Sequence, residues 1–206
     1  MKIDKEKILD HFYYEWWKYV VAILIILFVW NITSNYIYQK SIEGKKIEIY
    51  LVGPYLADSN LQHIKSRMLR DFPELKEILL SNIPMRGPED MAAWQKVMTY
   101  IGSQTGDIYV FDKDIFVQFA KRGAFLPLES YLKNGVLNIP RDDTARGTVL
   151  SDLDKKDHVY GLPIDSLQKL NQMGFDTRDK FISVTAFSKK KDTSVKILRW
   201  IFDNLR

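Results

Sequence analysis

Hydrophobic positions in this chain fall into two patterns, one long block and many short ones. The block is Tyr19–Trp30, twelve apolar residues in a row, nine of them Val, Ile, Leu or Phe. At roughly −0.3 to −0.6 kcal/mol each near a bilayer centre, those nine favour insertion by about 4 kcal/mol. Aromatic residues crowd both flanks: Tyr13, Tyr14, Trp16, Trp17 and Tyr19 before it, Trp30, Tyr36 and Tyr38 at its far end. Such belts mark the two membrane–water interfaces. A helix from Trp17 to Tyr36 has about 20 residues and spans ~30 Å, the hydrocarbon thickness. The residues that follow, Asn31 to Tyr36, hold no Ala-x-Ala cleavage pattern, so the segment is expected to stay as an anchor. Four lysines precede the span and three follow it, which is nearly a tie under the positive-inside rule. Asn31, Ser34 and Asn35 stand at i, i+3 and i+4 and share one helix face. They are candidates for contact with a second membrane helix, unless the helix has already reached the interface and water meets them.

The short blocks begin after a polar linker. Lys46–Val52 and Glu77–Ile83 are apolar runs of strand length, and Asp107–Phe111 is a third. Between them lie helical spacings. Leu61, Ile64 and Met68 share a face in a helix from Ser59, a capping residue, to about Arg70. Pro88, Glu89 and Asp90 resemble a helix start, followed by the stripe Trp94, Val97, Met98, Ile101. Asp114 opens a short helix closed by Gly123. Strand and helix alternate three times in about 75 residues, which predicts parallel strands with right-handed crossovers. Residues 133–157 turn polar and read as a long excursion with little core. His158–Leu162 and Phe181–Phe187 are the last strand candidates, and a final helix is predicted from about Asp192 to Asn204.

Composition removes several function classes. The chain has no cysteine, so disulfides, thiolate zinc sites, thiol nucleophiles and lipid attachment through an N-terminal cysteine are excluded. The formal net charge is +4. That suits a domain near anionic headgroups but is too small to argue for nucleic acid. The histidines, His11, His63 and His158, have no metal-ligand spacing. Neither a Gly-x-Ser-x-Gly elbow nor a phosphate-cradling Gly loop is present. Asp152, Asp154 and Asp157 lack the Gly and bidentate Glu of a calcium loop and read as solvated loop. No metal, cofactor or enzymatic activity is expected. Lys189, Lys190 and Lys191 read as a solvated basic turn.

Three stretches carry a family likeness. Gly106–Asp112 is followed by Phe116–Gly123 and then by Leu126-Pro127-Leu128-Glu129-Ser130-Tyr131-Leu132. Tyr160–Asp165 and Phe181–Asp192 come after. In order and spacing these resemble extracellular solute-binding proteins of ABC importers. In that family a strand delivers an Asp to the ligand cleft, a helix ends in Gly, and a crossover strand joins two lobes. The likeness covers roughly residues 46–132 and 158–206. It implies a periplasmic-binding-protein-like α/β lobe with a mostly parallel sheet, working outside the cytoplasm. A full member is about twice this length and closes two lobes on its ligand. Only residues 133–157 and 165–180 lie where a second lobe would be, so hinge closure is not carried over.

The expected organisation is a cytoplasmic or interfacial segment (1–16), a transmembrane anchor (17–38), a linker (39–45) and an extracytoplasmic α/β domain (46–206). Asp112 and Lys113 lie at the carboxyl end of the third strand, where open α/β sheets bind ligands. The alternative role for Asp112, and the favoured one, is to cap the helix that follows. Tyr160 and Asp165 border the crossover strand and either face a groove or form a turn. The expected function is a non-enzymatic binding subunit, tethered by a single span. Its partner would be a membrane protein, such as the permease of an ABC transporter, or a small-molecule ligand. The alternative is a true solute receptor that completes its site with a second subunit.

Overall fold

The computed structural model describes residues 5–42, 44–87 and 89–206, without the side chains of residues 5–15 and 39. The first four residues of the expected cytoplasmic segment, the rings of Tyr13 and Tyr14, one linker residue (Glu43) and Pro88 of the expected helix start lie outside the described residues.

The chain divides into two units, residues 1–43 and 44–206. The first is one helix, α1 (Lys5–Ile42). It continues four residues past the expected end of the span at Tyr38. Within it, Trp16–Ile42 is long and apolar enough to cross a membrane, with a mean hydropathy of 2.0 and none of its most apolar stretch buried. Asn31, Ser34 and Asn35 are exposed on it.

The second unit is built on a five-stranded sheet. Its first half follows the alternation seen in the sequence: β1 (Lys46–Gly53), α2 (Asp58–Asp71), β2 (Glu77–Pro84), α3 (Met91–Gly102) and β3 (Ile108–Asp112). The second half runs α4 (Lys113–Lys121), α5 (Glu129–Lys133), α6 (Arg141–Arg146), β4 (Thr148–Leu150), β5 (Asp157–Val159), β6 (Leu162–Pro163), α7 (Gln168–Gln172), β7 (Lys180–Val184) and α8 (Lys191–Leu205). Strand order is β2-β1-β3-β7-β6. β1 pairs in parallel with β2 from Lys46↔Glu77 to Gly53↔Pro84, and in parallel with β3 from Ile49↔Ile108 to Leu51↔Val110. β7 is antiparallel to both β3 and β6. The sheet is therefore α/β and parallel-rich, with one reversed strand.

Alternation along the strands sorts the core into two layers, because successive side chains point to opposite faces. Ile47, Ile49, Leu51, Ile108, Val110, Ile182 and Val184 join Leu61, Ile64 and Met68 of α2 and the apolar stripe of α8. Tyr50, Val52, Tyr109, Phe111 and Phe181 join Val97 of α3 and Ile115, Phe116 and Phe119 of α4. One face is aliphatic and the other largely aromatic.

Three expectations are corrected or refined. α2 begins at Asp58 behind Ala57 with no side-chain cap, so Ser59 is not its cap. The helix that does have a cap is α3, where the Asp90 carboxylate accepts from the Ala93 N–H at 3.3 Å. Residues 133–157, expected as an excursion with little core, bury only two apolar side chains, Leu137 and Val149, but are ordered: they carry α6, and β4 pairs with β5. His158–Leu162 is not one strand. It splits between the two sheets at Tyr160-Gly161, where the backbone turns against Gly147. A Cβ on Gly147 would lie 1.8 Å from the Gly161 carbonyl oxygen, so this crossing requires Gly.

Candidate functional site

The carboxyl ends of β1, β2, β3 and β6 and the amino end of β7 share one edge of the sheet. The helices that follow β1 and β3 lie on opposite faces, α2 on the aliphatic side and α4 on the aromatic side. That divergence opens a crevice between neighbouring parallel strands, the usual ligand position in open α/β sheets.

Lys180 sits at this crevice. Its side chain is almost fully buried, and its ammonium pairs with the Asp112 carboxylate, which is 48% exposed. The ammonium also lies 5.8 Å from the centre of the buried Phe175 ring, a cation–π position. Gly53, at the end of β1, makes room for it. A Cβ there would stand 3.2 Å from both Cε and Nζ of Lys180, and the backbone has φ +152. The Gly53 carbonyl accepts from the Met85 N–H at 2.8 Å, which ties in the end of β2. Asp112 occupies the cap position of α4, yet its side chain makes no cap bond. The carboxylate therefore does not cap α4; it is held by Lys180.

A second set of bonds extends the edge. The Lys113 N–H donates to the Asp179 carbonyl at 2.9 Å, and the Asp179 N–H donates to the Asp165 carboxylate at 3.1 Å. Arg146 reaches Asp165 at 2.6 Å and lies 5.9 Å from the Phe181 ring centre. Asp112, Lys113 and Asp165 thus come together. Tyr160 does not join them. It is buried before β6, at the opposite end of that strand, with its N–H given to the Gly147 carbonyl at 3.1 Å.

Beside the crevice lies an open depression of about 580 Å³ lined by Pro54, Tyr55, Pro84, Met85 and Arg86. Tyr55 is 70% exposed. Acid exceeds base along this edge: Asp58, Glu89, Asp90, Asp112, Asp114, Asp165, Asp176 and Asp179 stand against Arg86, Lys113, Arg146, Lys169, Arg178 and Lys180. Arg178 grips Asp176 with two bonds, 3.0 and 2.8 Å, and holds its carboxyl at about 2.

Lys180, Gly53 and Arg146 were not singled out in the sequence. The available hint was a lysine opening an otherwise apolar run, Lys180 before Phe181-Ile182. Buried lysines require a partner, so a lysine there points to a paired acid. Among the described residues no group of three His, Asp or Glu side chains is placed to hold a metal ion.

No protein-family model and no curated protein matches the chain. Solved structures of solute-binding proteins are similar to part of it. One is an extracellular solute-binding protein of family 1 from Alicyclobacillus acidocaldarius, at 17% identity and TM-score 0.43, covering 57% of this chain and 27% of that one. Another is an ABC substrate-binding protein from Listeria monocytogenes in complex with cycloalternan, at 18% identity and TM-score 0.40, covering 56% and 28%. A third, from B. animalis subsp. lactis in complex with beta-1,6-galactobiose, has 15% identity and TM-score 0.40, covering 64% and 30%. The chain spans less than a third of the length of these structures.

Proposed function

We propose that this chain is a single-pass membrane protein whose α/β unit acts outside the cytoplasm as a non-enzymatic binding module, presenting the carboxyl edge of its sheet to a protein partner. The observation that carries this reading is the composition of the open depression at that edge. Tyr, Met and Arg are the residue types enriched in protein interfaces, and Tyr55, Met85 and Arg86 line it together between two prolines. The long unburied apolar helix supports the tether. A membrane-embedded transporter component, such as an ABC permease, is the partner class that suits a module held at the bilayer.

A second reading, a small-molecule receptor, draws on the crevice itself. The Lys180–Asp112 pair offers fixed polar groups at a switch point of the sheet, but the edge forms only one wall. A pocket normally covers most of its ligand, so the other wall would come from a second subunit.

Photo-crosslinking in native membranes tests the choice. With a benzophenone amino acid at position 55, the first reading expects a discrete protein adduct that weakens in the Arg86→Glu background. The receptor reading instead expects a rise in melting temperature with a small solute and no adduct. If position 55 yields no adduct and no solute among sugars, amino acids and peptides shifts the melting temperature, both readings fail.

A further inference from the structure

The edge of the sheet opposite the candidate site carries a different charge pattern. It gathers the starts of β1, β2 and β3 and the end of β7. The Lys45 carbonyl accepts N–H bonds from Lys76 (2.8 Å) and Glu77 (3.2 Å), which brings the approaches to β1 and β2 together. The Lys190 ammonium donates to the Lys46 carbonyl, which adds the turn after β7. The acids here are largely occupied. Lys46 lies between Glu48 (3.1 Å) and Glu77 (3.5 Å). Buried Asp107 takes bonds from the Ser188 hydroxyl (2.6 Å) and the Glu48 N–H (3.0 Å), with Lys190 at 3.5 Å. Asp192 accepts from the Tyr131 hydroxyl at 2.8 Å. What remains outward is Lys45, Lys76, Lys189 and Lys191, all exposed and without an ion pair among the described residues. Exposed Asp71, Glu74 and Asp192 are the acids at this edge without a cation partner among the described residues, against those four lysines.

Covalent connectivity gives this edge a neighbour. The apolar helix ends at Ile42 and β1 starts at Lys46, and four residues reach at most ~14 Å. Electrostatic attraction to an anionic surface persists over about 8 Å at physiological salt. The opposite edge, with its excess of acid, is repelled by the same surface. We infer that the amino edge docks on anionic phospholipid headgroups through Lys45, Lys76, Lys189 and Lys191, and so turns the carboxyl edge away from the bilayer. The inference rests on the reading of α1 as a membrane tether.

The cysteine-free sequence allows single reporter cysteines in the full chain. Gln104→Cys marks the amino edge and Ser59→Cys the carboxyl edge; both sites are exposed. Each labelled chain is placed in lipid nanodiscs whose headgroups carry an energy-transfer acceptor. One set is neutral phosphatidylcholine, and the other contains one-third anionic phosphatidylglycerol. Transfer from position 104 is expected to roughly double in the anionic discs, and to fall back at high salt, where screening shortens to a few ångströms. Transfer from position 59 should not rise. A variant with all four lysines changed to Glu should lose the increase, while the salt titration reads the same attraction on the unsubstituted chain. Equal transfer from position 104 in both lipids overturns the docking and leaves the tether intact. Loss of the increase on adding inorganic phosphate at constant ionic strength assigns the edge to free phosphate and overturns it also. A chain that alkaline carbonate strips from membranes has no tether, and both readings fall.

Discussion

The two faces of the central sheet solve the same burial problem with different materials. The aliphatic face is covered by α2 and α8, helices of 14 and 15 residues with continuous apolar stripes. The aromatic face is covered by the shorter α3 and α4, and by the β4–β5 hairpin. Large rings span what the short helices leave open. Phe116 stacks on Phe181 at 4.7 Å, Tyr109 on Phe111 at 5.2 Å, and Tyr50 on Tyr109 at 5.2 Å. Backbone crossings fill the remainder, with Gly161 packed against Phe116 and Ser183. A face built from rings and crossings has few ways to relax. A face built from branched aliphatic chains can shift a helix slightly and close a gap.

The largest expected effect therefore falls on the aromatic side. Gly147→Ala forces a Cβ into the Gly161 carbonyl and should cost about 4 kcal/mol or more, since backbone must move. Gly102→Ala, with open space around it, should leave stability within about 0.5 kcal/mol of the parent. Urea unfolding of residues 44–206 measures both, and equal midpoints would break the comparison. Next come the core truncations. Phe116→Ala is expected to lose about 3–5 kcal/mol, and Ile49→Ala about 2–4 kcal/mol. An Ile49 loss exceeding that of Phe116 would mean the aliphatic face is the stiffer one.

A smaller effect has the opposite sign. The Ser183 hydroxyl is fully buried on the aromatic face and has no hydrogen-bond partner among the described residues. Ser183→Ala should raise stability by up to about 1 kcal/mol, because an unsatisfied hydroxyl is removed. A clear loss instead would mean that the hydroxyl is satisfied in solution.

The smallest effect is a pH dependence in the layer over that face. His158 bonds Asp154 at 2.8 Å and Glu129 at 3.1 Å, and these carboxylates raise its pKa. Its contribution is whole below the unfolded value, ~6.5, and fades as pH climbs past it through the raised folded value. Asp154 behaves inversely. His158 holds its carboxyl at about 2, so its share is whole above the unfolded value, ~3.9, and is lost as pH falls from there through the lowered folded value. Between pH 6 and 8 the parent should lose a few tenths of a kcal/mol, as exposed pairs do, and His158→Gln should not. Parallel curves for the two would assign no stability to the pairing.

The aliphatic face was the more legible of the two in the sequence. Leu61, Ile64 and Met68 repeat at helical spacing, and Ile47, Ile49 and Leu51 alternate. Each pattern is local and needs no knowledge of distant residues. The pieces of the aromatic face lie far apart in sequence. Nothing near Gly147 states that its backbone will meet Gly161, and nothing near Glu129 states that it will accept from the Val159 N–H at 2.8 Å. The candidate site divides in the same way. Asp112 could be read from its position after an apolar run. Lys180 left only the hint of a lysine opening an apolar run, because a lysine at a strand start usually faces solvent, and its burial depends on Gly53 and Phe175 from other parts of the chain.

The position of β7 in the sheet has a consequence for synthesis. It lies next to β3, although 68 residues separate the partners Asp112 and Lys180 and 81 separate Asp107 and Ser188. A growing chain that has released β1, β2 and β3 still carries a bare β3 edge, and apolar strand edges invite wrong pairing. The sheet can close only after residue 184 has emerged, so most of the domain waits unfolded for one late strand. Such long-range closure is slow. A chaperone or quality-control protease that meets this protein would find its substrate in that interval, and a chain cut short before Lys180 would never leave it.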